Sequence, residues 1–150
     1  MSESEDPDWS SDLIYAFRIM SNYASQDLTK RLAPTGITLA EFNILDTLSG
    51  AAISPSELAN TLGTGRGAVT KIVGRLVKKS LVKRRAHKED GYLQILTLTR
   101  KGFALIPKLR ELSVESNDEI FKWLINEDRA HLDRIMLELV RRYRKDHGLD

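Results

Sequence analysis

The chain is 150 residues long, 41% hydrophobic and 29% charged, with no cysteine and a formal net charge of +2. The length suits one domain, or one module with an extension, and the missing cysteine excludes disulfides, thiol redox sensing and thiolate metal sites. No apolar run approaches the roughly 18 residues a membrane span needs. Stretch 1–12 is acidic and serine-rich, without the basic and apolar blocks of a secretory leader. It reads as a disordered tail on a cytoplasmic protein that has no membrane partner.

Charge is distributed unevenly. Residues 1–59 carry 3 Lys or Arg against 9 Asp or Glu, residues 60–101 carry 11 against 2, and residues 102–150 carry 9 against 10. A block of +9 inside a nearly neutral chain is an electrostatic footprint for a polyanion. A solvated basic surface is the plainer alternative, and the local pattern decides between them.

Residues 13–32 predict a long amphipathic helix, with Leu13, Phe17, Met20, Ala24, Leu28 and Leu32 at helical spacing and Ile14 and Ile19 widening the stripe. It stops near Ala33-Pro34-Thr35-Gly36. Thr38-Leu39-Ala40-Glu41 is a capping box that opens a helix with Phe42, Ile44, Leu45 and Leu48 inward, expected to end at Ser49-Gly50 with Gly50 left-handed. Ser54-Pro55-Ser56-Glu57 is a second capping box, with proline at the first helical position and Leu58, Ala59 and Leu62 facing the core. Gly63-Thr64-Gly65 makes a turn in which Thr64 can cap the next helix.

That next helix, about 66–79, is the most informative. Val69, Ile72, Val73, Leu76 and Val77 form its inward stripe, while Gly67, Thr70, Lys71, Gly74, Arg75 and Lys78 fall on the other side. The outer face is small or basic and holds no acid. Exposed helices usually interleave Glu with Lys for mutual support; a face without acids repels itself until an anion arrives. Small residues let the backbone approach phosphates, an arginine can bond guanine bidentately, and a threonine can meet a thymine methyl. Residues 81–86 and 92–97 read as two strands joined by His87-Lys88-Glu89-Asp90-Gly91, a hairpin carrying Lys83, Arg84, Arg85 and Lys88. Thr99 can cap a helix over 100–123, with Leu105, Leu109, Leu112, Ser116 and Ile120 in one stripe, Phe103 and Ile106 beside it, and a bend at Pro107. Asn126 is placed to cap a last helix whose apolar side is Leu132, Ile135, Met136, Leu139, Val140 and Tyr143.

A helix, a turn and a basic helix followed by a basic hairpin is how a protein lays a helix in the major groove of DNA. The expected fold class is mainly α with a small β-hairpin wing (α+β). With Ser54-Pro55-Ser56-Glu57-Leu58-Ala59, Ala68-Val69-Thr70-Lys71-Ile72-Val73-Gly74-Arg75-Leu76, Leu81-Val82-Lys83-Arg84, Asp90 and Leu98-Thr99-Arg100-Lys101-Gly102, the chain resembles the MarR family of winged-helix transcription regulators over residues 13–144. The resemblance implies a homodimer with interlocked terminal helices on a pseudo-palindromic double-stranded operator, and often a repressor released by a small aromatic or amphipathic ligand. On that reading 13–36 is an N-terminal dimerisation helix, 37–99 the DNA-binding lobe, and 100–150 the helices that complete the dimer.

The candidate DNA-contact residues are Arg66, Gly67, Ala68, Thr70, Lys71, Arg75 and Lys78 on the helix, and Arg84, Arg85, His87 and Lys88 on the wing. Tyr15, Arg18, Tyr23 and Phe42 are candidates to line a ligand pocket. Three positions depart from the family pattern: the usual Asp-x-Arg of the wing is Asp90-Gly91-Tyr92, position 74 is Gly where relatives often have an acid, and position 80 is Ser where they often have Gly.

No cofactor or metal is expected, because His87, His131 and His147 are scattered. No catalytic residue is assigned: no phosphate loop follows a strand, and no nucleophile–histidine or framed carboxylate pair is suggested. The rival reading is a winged-helix interaction module that has lost operator binding, motivated by the altered wing and by Gly65, Gly67 and Gly74.

Overall fold

Two short capping sequences set the frame of the DNA-facing lobe. In the computed structural model, which describes residues 9–86 and 94–148, the Thr38 hydroxyl accepts the Glu41 amide at 3.2 Å while the Glu41 carboxylate accepts the Thr38 amide at 2.9 Å. Ser54 and Glu57 repeat the arrangement at 3.2 and 2.7 Å. Each box satisfies backbone N–H groups that a helix start leaves open. They launch α2 (Leu39–Gly50) and α3 (Pro55–Thr61). Around them run α1 (Trp9–Leu32), a short 3₁₀ turn (Ala33–Thr35), α4 (Arg66–Lys78), β1 (Val82–Ala86), β2 (Gln94–Leu98), α5 (Arg100–Phe121) and α6 (Asn126–Asp146). The architecture is mainly helical with one antiparallel hairpin, as the sequence predicts.

The hairpin pairs Val82 with Leu98 and Ala86 with Gln94, and Ile53 adds a single bridge to Leu96 through its carbonyl at 2.9 Å. The core lies where α2, α3 and α4 meet the hairpin and α5. Ile44, Leu45, Leu58, Val69, Leu76, Leu96 and Leu109 are wholly buried there. Burying a side chain of this kind contributes about 1.5–3 kcal/mol, so this cluster, more than helix propensity, holds α4 in place.

Gly102 locks α5 to the hairpin. A Cβ at that position would lie 2.2 Å from the Leu81 carbonyl oxygen, so the close approach requires glycine. The Thr99 hydroxyl caps α5 by accepting the Gly102 amide at 3.0 Å, and the Thr99 amide donates to the same Leu81 carbonyl at 3.0 Å. Helix α5 runs on through Pro107 without interruption.

Several sequence expectations shift. Helix α1 begins at Trp9, not Leu13, so residues 9–12 belong to it, with Asp12 favourably placed in its first turn; residues 1–8 of the expected tail lie outside the described residues. Gly50 ends α2 inside the helix and the cap, Ala51, is extended, so Gly50 is not left-handed. Gly65, not Thr64, caps α4, and Ile125, not Asn126, caps α6, both without a side-chain bond. Val77 and Phe103, expected inside, are exposed. Both lie at the margins of their helical stripes, where one turn is 100° and a small rotation decides burial.

No residue of α6 is buried. Ile135, Leu139, Val140 and Tyr143 are about half exposed or more, and on α1 Leu13, Ile14 and Met20 are exposed as well.

Candidate nucleic-acid interface

The turn before α4 is built by Gly63, whose φ of 60° is left-handed. It redirects the chain after α3 so that α4 packs Val69, Val73 and Leu76 inward. Arg66, Gly67, Ala68, Thr70, Lys71 and Lys78 then stand exposed, as the sequence expects. Arg66, Lys71 and Lys78 form no ion pair among the described residues. Their charges repel one another and no described acid pairs with them, which is the electrostatic condition for recruiting a polyanion. The Thr70 hydroxyl donates to the Arg66 carbonyl at 2.9 Å.

The wing is anchored beside this helix. Thr70 and Val73 of α4 share a recess of about 70 Å³ with Pro55, Arg84 and Gln94, which brings the N-terminus of α3, one side of α4, the middle of β1 and the start of β2 together. Arg84 and Arg85 are exposed on β1. His87, Lys88 and the Asp90-Gly91-Tyr92 tip lie outside the described residues.

Arg75 occupies a different environment from the other helix cations. Its Nε lies 3.6 Å from a carboxylate oxygen of Glu41, which is 1% exposed. Lys79, at the C-cap of α4, donates to both oxygens of the same carboxylate at 2.9 and 2.8 Å, and to the Gly36 carbonyl at 2.7 Å. Burial by itself would raise the Glu41 carboxyl, but the Lys79 ammonium and the Thr38 amide hold it below the usual glutamate value. Sequence reasoning missed this node, although it left one trace. Arg75 and Lys79 stand one turn apart and flank the inward Ile72 and Leu76, at the edge of the buried stripe.

The four ligand candidates do not converge. Phe42 is a core residue, 6% exposed, while Tyr15, Arg18 and Tyr23 are exposed on α1. Among the described residues, the apolar cavities are lined by other side chains. One of about 390 Å³ lies between α1, α5 and α6 against Phe17, Met20, Ile120, Leu132 and Met136. Another of about 320 Å³ lies between α5 and α6 against Phe121, Leu124, Arg129 and Met136. No group of three or more His, Asp or Glu that could hold a metal occurs among the described residues, and no described helix is long and apolar enough to cross a membrane.

The helix, glycine turn, basic helix and basic hairpin define a winged helix-turn-helix. Comparison with known proteins narrows the class. A family model described as MarR family matches residues 35–91. The chain is 30% identical over 115 residues to the multiple antibiotic resistance protein MarR of Escherichia coli strain K12, covering 75% of this chain and 80% of that protein. It is 32% identical over 113 residues to the HTH-type transcriptional regulator PecS of Dickeya dadantii, covering 73% and 68%. The crystal structure of the C80S mutant of Escherichia coli MarR complexed with operator DNA superposes with a TM-score of 0.79 at 26% identity, covering 91% of this chain and 99% of that one. The chain belongs to the MarR family, winged-helix transcription regulators and not enzymes.

Proposed function

We propose that this protein is a cytoplasmic, homodimeric regulator that binds a pseudo-palindromic operator in double-stranded DNA. The observation that carries the reading is the exposed, acid-free outer face of α4, with Arg66, Lys71 and Lys78 unneutralised among the described residues and the Arg84–Arg85 flank of the wing beside it. In this proposal α4 enters the major groove with Gly67, Ala68, Thr70 and Lys71 nearest the bases. Arg66, Lys78, Arg84 and Arg85 take phosphates, as do His87 and Lys88 of the wing tip. Arg75, turned toward Glu41, stands back from the phosphates. A relative of the same fold solved in complex with operator DNA supports the reading as a DNA binder.

The dimer is supported by the uncovered apolar faces of α6 and α1. Half-exposed Ile135, Leu139 and Val140 each stand to contribute about 1 kcal/mol on being covered, and a symmetric partner offers the same stripe in return. The dimer would thus use residues 13–36 and 100–150, and the lobe 37–99 would carry the DNA contacts. We also propose repression relieved by a small aromatic or amphipathic ligand. The α5–α6 cavity of about 320 Å³ supports this, since apolar Phe121, Leu124 and Met136 face it together with Arg129. The two cavities, and not the set Tyr15, Arg18, Tyr23 and Phe42, are the places to look.

Footprinting on the DNA upstream of the coding region tests the reading. Two protected half-sites one helical turn apart, roughly 34–36 Å, are expected from a two-fold dimer. Uniform or absent protection would favour the interaction module without an operator.

A further inference from the structure

Glu41 is the only buried ionisable side chain among the described residues. Its capping task does not require this burial. Glu57 makes the same box at the start of α3 from an exposed position, and a neutral glutamine also serves at that position in such boxes. Glu41 adds two bonds to Lys79 and the approach of Arg75 at 3.6 Å. Of the five cations on α4 and its cap, these two turn toward α2, whereas Arg66, Lys71 and Lys78 are exposed and unpaired among the described residues.

We propose that Glu41 is a specificity-determining positioning residue: its buried carboxylate holds Arg75 and Lys79 at the α2–α4 junction, so that neither serves as a mobile, sequence-indifferent phosphate contact. The proposal rests on the DNA-binding reading above. Every cation free to find a phosphate strengthens binding to all sequences equally and lowers discrimination. A fixed negative charge behind the helix prevents that at its C-terminal end. It leaves the unpaired cations nearer the N-terminus, and Lys78, to meet the duplex.

The test is Glu41→Gln, which keeps the side-chain volume and the capping geometry. Fluorescence anisotropy against a scrambled duplex is recorded over a salt series, with circular dichroism confirming the fold. The slope of log K against log salt should steepen by about 0.9 for each cation released. Extrapolated to 1 M, that slope corresponds to roughly 5-fold tighter non-specific binding per cation at 0.15 M salt. Operator affinity should rise less, so the ratio of the two falls. A purely structural role for Glu41 would weaken both duplexes together and leave the slope alone.

Arg75→Gln, an exposed change, supplies a second arm that does not depend on altering the buried site. It should leave the wild-type non-specific slope unchanged, and combined with Glu41→Gln it should remove about half of the added slope. A slope reduced by about 0.9 in Arg75→Gln alone, or an unchanged slope in Glu41→Gln, would overturn the inference while leaving the regulator reading intact. Wild-type protein that binds no DNA would overturn both.

Discussion

Replacing Gly102 by alanine should unfasten α5 from the hairpin. The added methyl would sit 2.2 Å from the Leu81 carbonyl oxygen, 3.2 Å from its carbon and 3.3 Å from a Leu98 methyl. A carbon and a carbonyl oxygen normally meet at about 3.3 Å, so the helix start or the Leu81 peptide must move by about 1 Å. Overpacking of this size costs about 1–3 kcal/mol. The Leu81 carbonyl cannot yield cheaply, because it accepts the Thr99 amide at 3.0 Å and the Thr99 hydroxyl at 3.3 Å. Weakening one of those bonds adds about 1 kcal/mol, while alanine returns up to about 1 kcal/mol through its helix propensity. The net is a loss of about 1–3 kcal/mol, or roughly 2–12 °C in melting temperature for a chain of this size. Urea denaturation at one fixed protein concentration measures it, the concentration being held because dimerisation would contribute. A Gly102→Ala protein within about 0.5 kcal/mol of wild type, which is the range of an ordinary surface change, would refute the argument from close approach.

Ser80 has a φ of 60°, the one left-handed non-glycine residue among those described. Ser80→Gly should remove a strain of about 1–2 kcal/mol, less about 0.4–1 kcal/mol for the greater freedom of glycine in the unfolded chain. A net gain of about 0.5–1 kcal/mol is expected by the same denaturation assay, and a loss would contradict it. Stability should also depend on acid through Glu41. Its folded carboxyl lies below the ordinary value of 4.5, so its contribution is complete above that value and is lost as pH falls through the folded one. The stability difference between wild type and Glu41→Gln should therefore shrink with falling pH, and a constant difference would remove the charge from the account. Lys78→Ala should weaken operator and scrambled DNA alike and reduce the salt slope by about 0.9, the loss of one phosphate contact. A loss confined to the operator would make it a base reader instead.

The legible features were those written within a few residues of one another. The capping boxes at Thr38 and Ser54, the core stripe of α4 apart from Val77, and the proline at the start of α3 follow from short spacings, and the structure carries each of them. The caps of α4 and α6 were misplaced because Thr64 and Asn126 have the right chemistry one position away from Gly65 and Ile125, where the backbone leaves the helix. Glu41 shows the limit more clearly. Its capping role is local and readable, whereas its burial and its hold on Lys79, 38 residues further on, depend on how α2 and α4 cross. The stripe of α6 is legible as apolar, but sequence periodicity does not distinguish a face that meets its own core from one that meets another chain. In the structure Ile135 and Leu139 remain half exposed.

The most direct test is fluorescence anisotropy with the DNA upstream of the coding region, set against a scrambled duplex of equal length over several salt concentrations. A sequence-specific regulator should prefer the upstream DNA by about 10³ or more. That preference should persist as rising salt weakens both complexes. Equal and steeply salt-dependent affinities for the two duplexes would contradict the account, leaving a basic winged helix whose partner is another protein.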